Sequence, residues 1–211
     1  MALTKVRGGG VDNPLTLGGG SASDRSIIFD GNAQDFHIGL DDSADKLTIG
    51  LGSTLGTTSH MVIDATGAIT KPLQPAFCVT KSSDQNNIAV ASEVTVNFDV
   101  ERFDQNGDFA SNTFTAPVTG KYQLIANINL SSIDSASAYY YVNILTSNVT
   151  YRSILRPDFG QDLDYFPMSV SAVADMDAND TAIIQVAQAG GTQQTDIQGG
   201  NYSRFSGCLL T

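Results

Sequence analysis

The sequence feature that most constrains the fold is a turn followed by a long alternating segment, between Phe114 and Leu130. Pro117 and Gly120 bracket the turn, and both residue types favour its backbone dihedral angles. Beyond the turn, apolar and polar side chains alternate. This period of two predicts a strand with one face in a core and the other face in solvent or against a partner subunit. The apolar positions are Tyr122, Leu124, Ala126, Ile128 and Leu130.

The closing run from Arg204 to Thr211 has the same period, with Phe205, Gly207 and Leu209 on one face. Chain ends fray unless they are anchored, so an end this apolar predicts a last strand in the middle of a sheet. No stretch has a helical period, and short strands separated by Gly, Asn, Asp and Ser predict two packed antiparallel sheets. The predicted strands of this region are 77–80, 94–98, 113–116, 120–130, 138–145, 150–155, 167–174, 181–187 and 204–210.

Four motifs in this region, in order and at about the right spacing, resemble the head domain of complement component 1q. They are Pro75-Ala-Phe77, Phe114 to Tyr122, Met176 to Asp180 and Phe205 to Leu210. The resemblance covers roughly residues 73 to 211. It implies a ten-stranded jelly roll of the complement and tumour-necrosis-factor type that assembles as a compact trimer. Asn179 and Cys208 stand where that family more often has glycine and an aromatic residue.

Charge and composition exclude several classes of function. The chain carries 11 Lys and Arg against 22 Asp and Glu, a net charge of −11, which repels phosphate backbones and anionic membranes and argues against nucleic-acid binding. With 41% hydrophobic residues it can form a core. No apolar run approaches the ~20 residues of a membrane span, and the first residues lack the apolar region of a signal peptide. We therefore expect a soluble chain that is not exported by that route.

Residues 1–24 contain two glycine triplets, Gly8 to Gly10 and Gly18 to Gly20. Glycine triplets give the backbone freedom and offer no side chain for packing. Two interpretations remain open for this segment. It is a flexible tether, or it attaches the chain to a larger assembly and becomes ordered only there.

Residues 25–72 contain short alternating runs separated by turn residues such as Asp30-Gly-Asn32 and Thr66-Gly67. Each run has two or three apolar side chains on one face, too few for one copy to close a core. We expect three copies to bury these side chains about a common axis. The predicted trimer contacts here are Phe36, Ile38, Leu47 and Ile49, supported by Phe29 and Ile63.

The same segment is similar to shaft segments of bacteriophage tail and head fibres over about 50 residues. The similarity rests on Ser26 to Gly31, Asp35 to Gly50 and Met61 to Thr70. It implies a β-rich trimeric fibre shaft that precedes the head. Lys71-Pro-Leu-Gln-Pro75 contains two prolines and predicts a short stiff joint between the shaft and the head. The predicted division is 1–24 attachment segment, 25–72 shaft and 73–211 jelly-roll head.

Cys78 and Cys208 are the only cysteines, too few for a disulfide framework in a chain of 211 residues. The resembled fold places their strands side by side, so a bridge is conceivable. Phage proteins mature in a reducing cytosol, and we therefore expect two buried free thiols.

Candidate catalytic residues are scarce. His37 and His60, the only histidines, both lie in the shaft, which excludes a Ser-His-Asp triad or a histidine-rich zinc site in the head. A carboxylate pair for sugar hydrolysis remains open, but no pair has the apolar setting that raises one pKa. We therefore predict no enzymatic activity.

The segment 158–166 is the least strand-like part of the head and combines carboxylates with aromatic rings. Loops on rigid sandwiches often carry recognition, so we predict a receptor-binding loop here. Asp162 and Asp164, repeated three times near an axis, could hold Ca²⁺, and some heads of the resembled family hold calcium there. A solvated acidic loop without metal is the alternative. The candidate receptor-binding residues are Asp158, Phe159, Asp162, Asp164 and Tyr165.

Two further motifs have competing interpretations. Tyr139 and Tyr141 share one face of a predicted strand, opposite to Tyr140. This outward pair suits either a trimer interface, which we favour, or stacking against a sugar. Asn106-Gly107 lies in an oxygen-rich segment that lacks the spacing of an EF-hand, and it predicts a tight hairpin turn.

Together these patterns predict a non-enzymatic homotrimeric virion fibre of the head or tail. Other virion proteins would hold its N-terminus, and its head would bind a host-surface receptor or glycan through several weak contacts at once. It would be assembled in the host cytoplasm and would not insert into membranes. The alternative is an extracellular or cell-surface adhesin or lectin of cellular origin with the same head.

Overall fold

The computed structural model describes residues 16–211, and the part of the predicted attachment segment before them lies outside the described residues. The chain divides into two compact units, Met1–Leu73 and Gln74–Thr211. The described residues form strands and turns without a helix, which confirms the all-β prediction. None of them therefore belongs to a helix that could cross a membrane.

The first unit contains one five-stranded sheet in which each strand pairs with the next along the chain. All pairs are antiparallel. Its last turn is closed by Asp64, whose Oδ1 accepts hydrogen bonds from the backbone of Thr66 at 2.8 Å and of Ala68 at 3.0 Å. The strands are β1 (Arg25–Phe29), β2 (Phe36–Asp41), β3 (Lys46–Leu51), β4 (Ser59–Ile63) and β5 (Ile69–Thr70).

The two faces of this sheet differ in burial. On one face His37 and Thr48 are buried. The segment after β3 contacts His37, whose Nδ1 lies 2.9 Å from the Gly52 carbonyl oxygen. Glycines make this close approach possible, since a Cβ at Gly39 would meet Leu55 Cδ2 at 2.9 Å. The opposite face, called the apolar face below, retains large exposed side chains. It consists of Ile27, Phe29, Phe36, Ile38, Leu40, Leu47, Ile49, Leu51, Met61, Ile63 and Ile69.

The second unit is a jelly-roll sandwich of two antiparallel sheets, as the sequence predicts. One sheet has the order β13-β12-β15-β10-β9, with β7 beside β15, and the other has the order β14-β11-β17-β6-β8, with β16 beside β11. The strands are β6 (Ala76–Thr80), β7 (Glu93–Thr95), β8 (Val100–Asp104), β9 (Phe109–Ala110), β10 (Thr113–Thr115), β11 (Gly120–Ile133), β12 (Tyr139–Thr146), β13 (Thr150–Leu155), β14 (Leu163–Met176), β15 (Thr181–Ala189), β16 (Asp196–Ile197) and β17 (Arg204–Leu209).

The long strand β11 organises this sandwich. Its alternating residues Tyr122 and Leu124 are completely buried, and their neighbours Lys121 and Gln123 are exposed. The Tyr122 hydroxyl donates a hydrogen bond to the Val118 carbonyl at 2.8 Å, which fixes the turn that precedes the strand. Burial raises the pKa of Tyr122, so the hydroxyl remains a donor.

The C-terminal strand β17 lies between β11 and β6, which confirms that the apolar chain end is held inside a sheet. Phe205 on this strand is fully buried. Its ring lies edge-on to Phe77, with centroids 4.9 Å apart, and 6.2 Å from Phe98 and from Phe109. Gly207 is required for space, because a Cβ there would meet Leu124 Cδ2 at 2.7 Å.

Two local predictions are wrong. Asp164 and Tyr165 do not belong to a loop, because β11 is long enough to pair with β14 as far as Ile133 opposite Leu163. The segment at Asn106-Gly107 is a turn but not a hairpin, since β8 pairs with β6 whereas β9 pairs with β10. The Asp104 carboxylate directs this turn by accepting hydrogen bonds from the backbone of Asp108 and Phe109.

The cysteines are free, as predicted, but half-buried rather than buried. Cys208 is paired with Ala76, and Cys78 is paired with Ser206, so the two thiols are diagonal neighbours on adjacent strands. Diagonal positions are about 7–8 Å apart, farther than most disulfides allow. Asn179 has a φ of 76°, which explains how it serves in a turn where glycine is common.

Candidate recognition surfaces

The predicted receptor-binding residues lie at one end of the sandwich, in the loop before β14 and at the start of that strand. Tyr165 is highly exposed, and Phe159 packs against Phe166 with ring centroids 5.6 Å apart. Asp158 and Asp164 have no side-chain hydrogen bond among the described residues. Their assignment to receptor binding stays a prediction.

Asp162 has a structural role in the same loop. Its Oδ1 accepts hydrogen bonds from the backbone nitrogen and the hydroxyl of Ser135 at 2.9 and 2.7 Å, and its Oδ2 accepts one from Gln194 Nε2 at 2.9 Å. The hydrogen bonds from the Ser135 backbone and hydroxyl, followed by that from Gln194, lower the pKa of this carboxyl. Asp162 therefore ties the loop to two neighbouring segments.

Removal of this carboxylate is expected to change how stability depends on pH. A carboxyl whose pKa is lower in the folded protein than its ordinary value of 3.8 contributes stability at pH values above 3.8. This stability is lost as the pH falls through the pKa of the folded protein. Asp162→Ala should therefore have a lower free energy of unfolding than the parent at pH 7, and the difference should narrow towards pH 3. Urea unfolding of both proteins at pH 7 and at pH 3 measures this difference in the free energy of unfolding. Asp158→Ala, which removes a carboxylate without a hydrogen bond, is the control; an equal change there would contradict the assignment.

The predicted calcium site gains no support from one copy of the chain. Within residues 16–211, no group of three or more Asp, Glu, His or Cys side chains is arranged to hold a metal ion. Asp162 is already occupied by its hydrogen bonds to Ser135 and Gln194. Calcium at Asp162 and Asp164 stays a prediction that requires carboxylates from several copies.

The first predicted trimer contacts share one surface. Cross-strand pairing places Ile38 opposite Ile49 and Leu40 opposite Leu47, so Phe36, Ile38, Leu47 and Ile49 all lie on the apolar face. Phe36 is 44% exposed and Leu47 is 45% exposed. The structure thus brings these four residues together, and their burial against other copies stays a prediction.

The tyrosines of β12 alternate as the sequence predicts. Tyr140 is buried and its hydroxyl lies 2.9 Å from Thr195 Oγ1, whereas Tyr139 and Tyr141 are on the outer face. The rings of the outer pair are nearly parallel, with centroids 6.0 Å apart. The guanidinium carbon of Arg152 lies 3.8 Å from the centre of the Tyr141 ring, a cation–π contact.

Glu93 on β7 connects this pair to its neighbours. Its Oε1 accepts a hydrogen bond from the Tyr141 hydroxyl at 2.9 Å and lies 3.4 Å from Arg152. Arg152 Nε also donates to Asn143 Oδ1 at 2.8 Å. Burial, followed by the hydrogen bond to Glu93, raises the pKa of Tyr141, which keeps the phenol protonated.

A cleft of about 290 Å³ lies between the tyrosines and Glu93, and we call it the tyrosine cleft. Sequence analysis missed Glu93, Asn143 and Arg152, because no local motif connects residues on three different strands. Only the pairing of Asn143 with Arg152 across β12 and β13 brings that part of the site together. The tyrosine cleft is lined by Ala91, Ser92, Glu93, Tyr139, Tyr141, Ala187, Gln188, Ala189 and Gly190.

No known family model matches the chain, and no curated protein matches it. Among solved structures, the chain is similar to the globular domain of zebrafish complement 1qA protein, with 18% identity, 65% of this chain and 98% of that chain covered, and a TM-score of 0.48. It is also similar to murine APRIL, with 8% identity, 65% and 99% coverage, and a TM-score of 0.47. The strand order and registers of the second unit establish the jelly-roll fold.

Proposed function

We propose that the chain is a structural fibre protein of a virion that assembles as a homotrimer and carries a recognition head. The first unit supplies contacts between copies, and the second unit presents binding surfaces to a receptor or glycan on a host cell. The segment 1–24 attaches the fibre to other virion proteins. The protein is made and assembled in the host cytoplasm, and its role involves no catalytic step.

The apolar face of the first unit is the observation that carries this proposal. Seven of its eleven side chains are 37% to 58% exposed. They present on the order of 600 Å² of apolar surface, whereas contiguous apolar patches on soluble monomers rarely exceed a few hundred Å². A stable interface buries roughly 800 Å² per partner, so this face could supply most of one.

Charge supports contact between identical copies. Within the described strands, Arg25 is the only charged residue in register with the apolar face, at one corner of the sheet. Its guanidinium is directed towards the preceding segment, where it donates to Ser21 Oγ at 2.6 Å. Identical uncharged surfaces can meet without repulsion, and three such sheets about an axis would cover one another.

The sandwich of the second unit suits a recognition role because it is rigid. Its core is closed within one copy, with Tyr122, Tyr140, Phe114 and Phe205 each at most 1% exposed. A core closed within one copy can hold the outer residues of the unit in fixed positions. Three heads on one fibre would bind a surface more tightly than one, since linked weak sites act at high effective concentration.

The native mass of the purified protein tests the proposal. Light scattering should give three times the chain mass of 22.3 kDa, and the value should not change when a chelator is added. A trimer that dissociates in chelator would instead require a metal bound between copies. A monomer or a dimer in both conditions would overturn the trimeric fibre.

Immunogold labelling with an antibody against residues 74–211 tests the location separately. Labelled fibres on virions would support the proposal. Label found only on cell surfaces would contradict the virion assignment and favour a cellular adhesin.

A further inference from the structure

The tyrosine cleft is a trough that crosses three neighbouring strands. Tyr139 is directly opposite Ala189, and Tyr141 is directly opposite Ala187, so the aromatic wall stands beside a floor of small side chains. Ala187 is in turn opposite Glu93, which stands on the other wall. The backbones of the two walls are two strand spacings apart, about 10 Å. Above Ala187, which is 4% exposed, the Tyr141 hydroxyl reaches Glu93 Oε1 at 2.9 Å, so the open part of the trough lies over Ala189 beside Tyr139. The trough exists because alanines occupy the positions where larger residues would fill it.

The cleft combines one apolar wall with unused polar groups. Tyr139 is 42% exposed, and its hydroxyl has no hydrogen-bond partner within residues 16–211. On the other wall, Glu93 makes all its hydrogen bonds through Oε1, and its Oε2 accepts none from the described residues. The hydroxyl of Ser92, which also lines the cleft, is likewise unpartnered in this part of the chain. A ligand could therefore meet an aromatic surface and hydrogen-bonding groups at once.

The aromatic wall is held in place before any ligand binds. Tyr141 is fixed through its ring by Arg152 and through its hydroxyl by Glu93. Arg152 is fixed in turn by Asn143. Side chains that are already ordered lose little conformational entropy on binding, which favours a binding surface over an accidental depression.

We infer that the tyrosine cleft binds a neutral saccharide. The apolar face of a sugar ring would lie against the exposed Tyr139 ring, and its hydroxyl groups would donate to Glu93 Oε2. The volume of about 290 Å³ is near the lower end of small-molecule pockets, which fits one or two sugar rings rather than a protein segment. The carboxylate and the net charge of −11 disfavour acidic sugars. This inference rests on the proposed function and deepens it, since it names a ligand class for the head. It adopts the sugar-stacking alternative for Tyr139 and Tyr141 in place of the trimer interface, and it places the ligand outside segment 158–166.

Saturation-transfer NMR on the full chain tests the inference with neutral probes. These are the methyl glycosides of glucose, galactose, mannose and N-acetylglucosamine and their common disaccharides, at concentrations up to tens of millimolar. We expect at least one to bind and the methyl glycoside of sialic acid not to bind. If none of the neutral probes binds, the inference is wrong.

Four variants locate the site. Tyr139→Ala removes half of the aromatic wall and should weaken binding by about tenfold, whereas Tyr139→Phe keeps the ring and should stay close to the parent. Glu93→Gln should weaken binding by about tenfold, because a hydrogen bond to a charged acceptor is replaced by a neutral one. Ala189→Leu fills the trough and should abolish binding while every tyrosine remains.

Tyr165→Ala is the matched control, since it removes an exposed tyrosine from the segment 158–166. It should bind the sugar like the parent. Loss of binding in Tyr165→Ala, together with normal binding in Tyr139→Ala and Ala189→Leu, would move the site to that segment and overturn the inference. A monomeric mass with normal sugar binding would instead overturn only the trimeric fibre, so the two failures are distinguishable.

Discussion

Phe36→Asp combined with Leu47→Asp is expected to convert the assembled protein into single chains. Both side chains are almost half exposed in one copy, so the change should leave the fold of that copy intact. Burial of such a side chain contributes roughly 1 kcal/mol, and six of them per trimer correspond to an increase in the dissociation constant on the order of 10⁴-fold. The uncompensated carboxylates add a further desolvation cost. Light scattering over a range of protein concentrations measures the effect.

The control places the same two charges on the opposite face of the same sheet. Ser26→Asp with Thr70→Asp changes exposed residues that point away from the apolar face. This variant should keep the parent mass. If both double variants retain the parent mass, the apolar face is not the contact between copies; if both dissociate, charge rather than the position of the substitutions is responsible.

Phe205→Ala is expected to lower the free energy of unfolding of the second unit by about 3–5 kcal/mol. The ring is fully buried and meets Phe77 from its own sheet, Phe109 from the opposite sheet and Phe98 from the segment between β7 and β8. Removal of the ring leaves a cavity. Strand β17 cannot move to close this cavity, because β11 and β6 hold β17 in register on both sides. Urea unfolding followed by tyrosine fluorescence or circular dichroism gives the change in free energy.

Tyr202→Ala is a suitable control for this prediction. It removes an aromatic ring of similar size three positions before Phe205, but Tyr202 is 67% exposed. Surface changes of this kind usually alter the free energy of unfolding by less than about 0.5 kcal/mol. A similar loss in both variants would show that the end of the chain is sensitive to any truncation, and that the core position of Phe205 is not the cause.

The sequence predicted a strand correctly where its local pattern of apolar residues also matched the burial that the whole fold requires. The alternation after Gly120 predicted β11, and the apolar closing run predicted that β17 is central. Both follow from the same physics, since a strand that buries one face must place apolar side chains at every second position. The outward direction of Tyr139 and Tyr141 followed from this period as well.

The sequence was less informative wherever the partner of a strand mattered. Asp164 and Tyr165 are polar or exposed and looked like part of a loop, yet they belong to β14 because β11 extends far enough to pair with them. Asn106-Gly107 has the composition of a hairpin turn, but its flanking strands join different sheets. Turn chemistry specifies a local bend and does not specify which strands pair beyond it.

The sequence by itself therefore determined the strand content, the buried face of β11, the anchored chain end and the two-faced strands of the first unit. Only the tertiary structure decided that Glu93 meets Tyr141 and Arg152, and that alanines of β15 leave a trough beside the tyrosines. The physical reason is the range of the interactions. Burial patterns repeat every two residues along one strand, whereas a site built from β7, β12, β13 and β15 depends on long-range pairing registers that no single stretch of sequence contains.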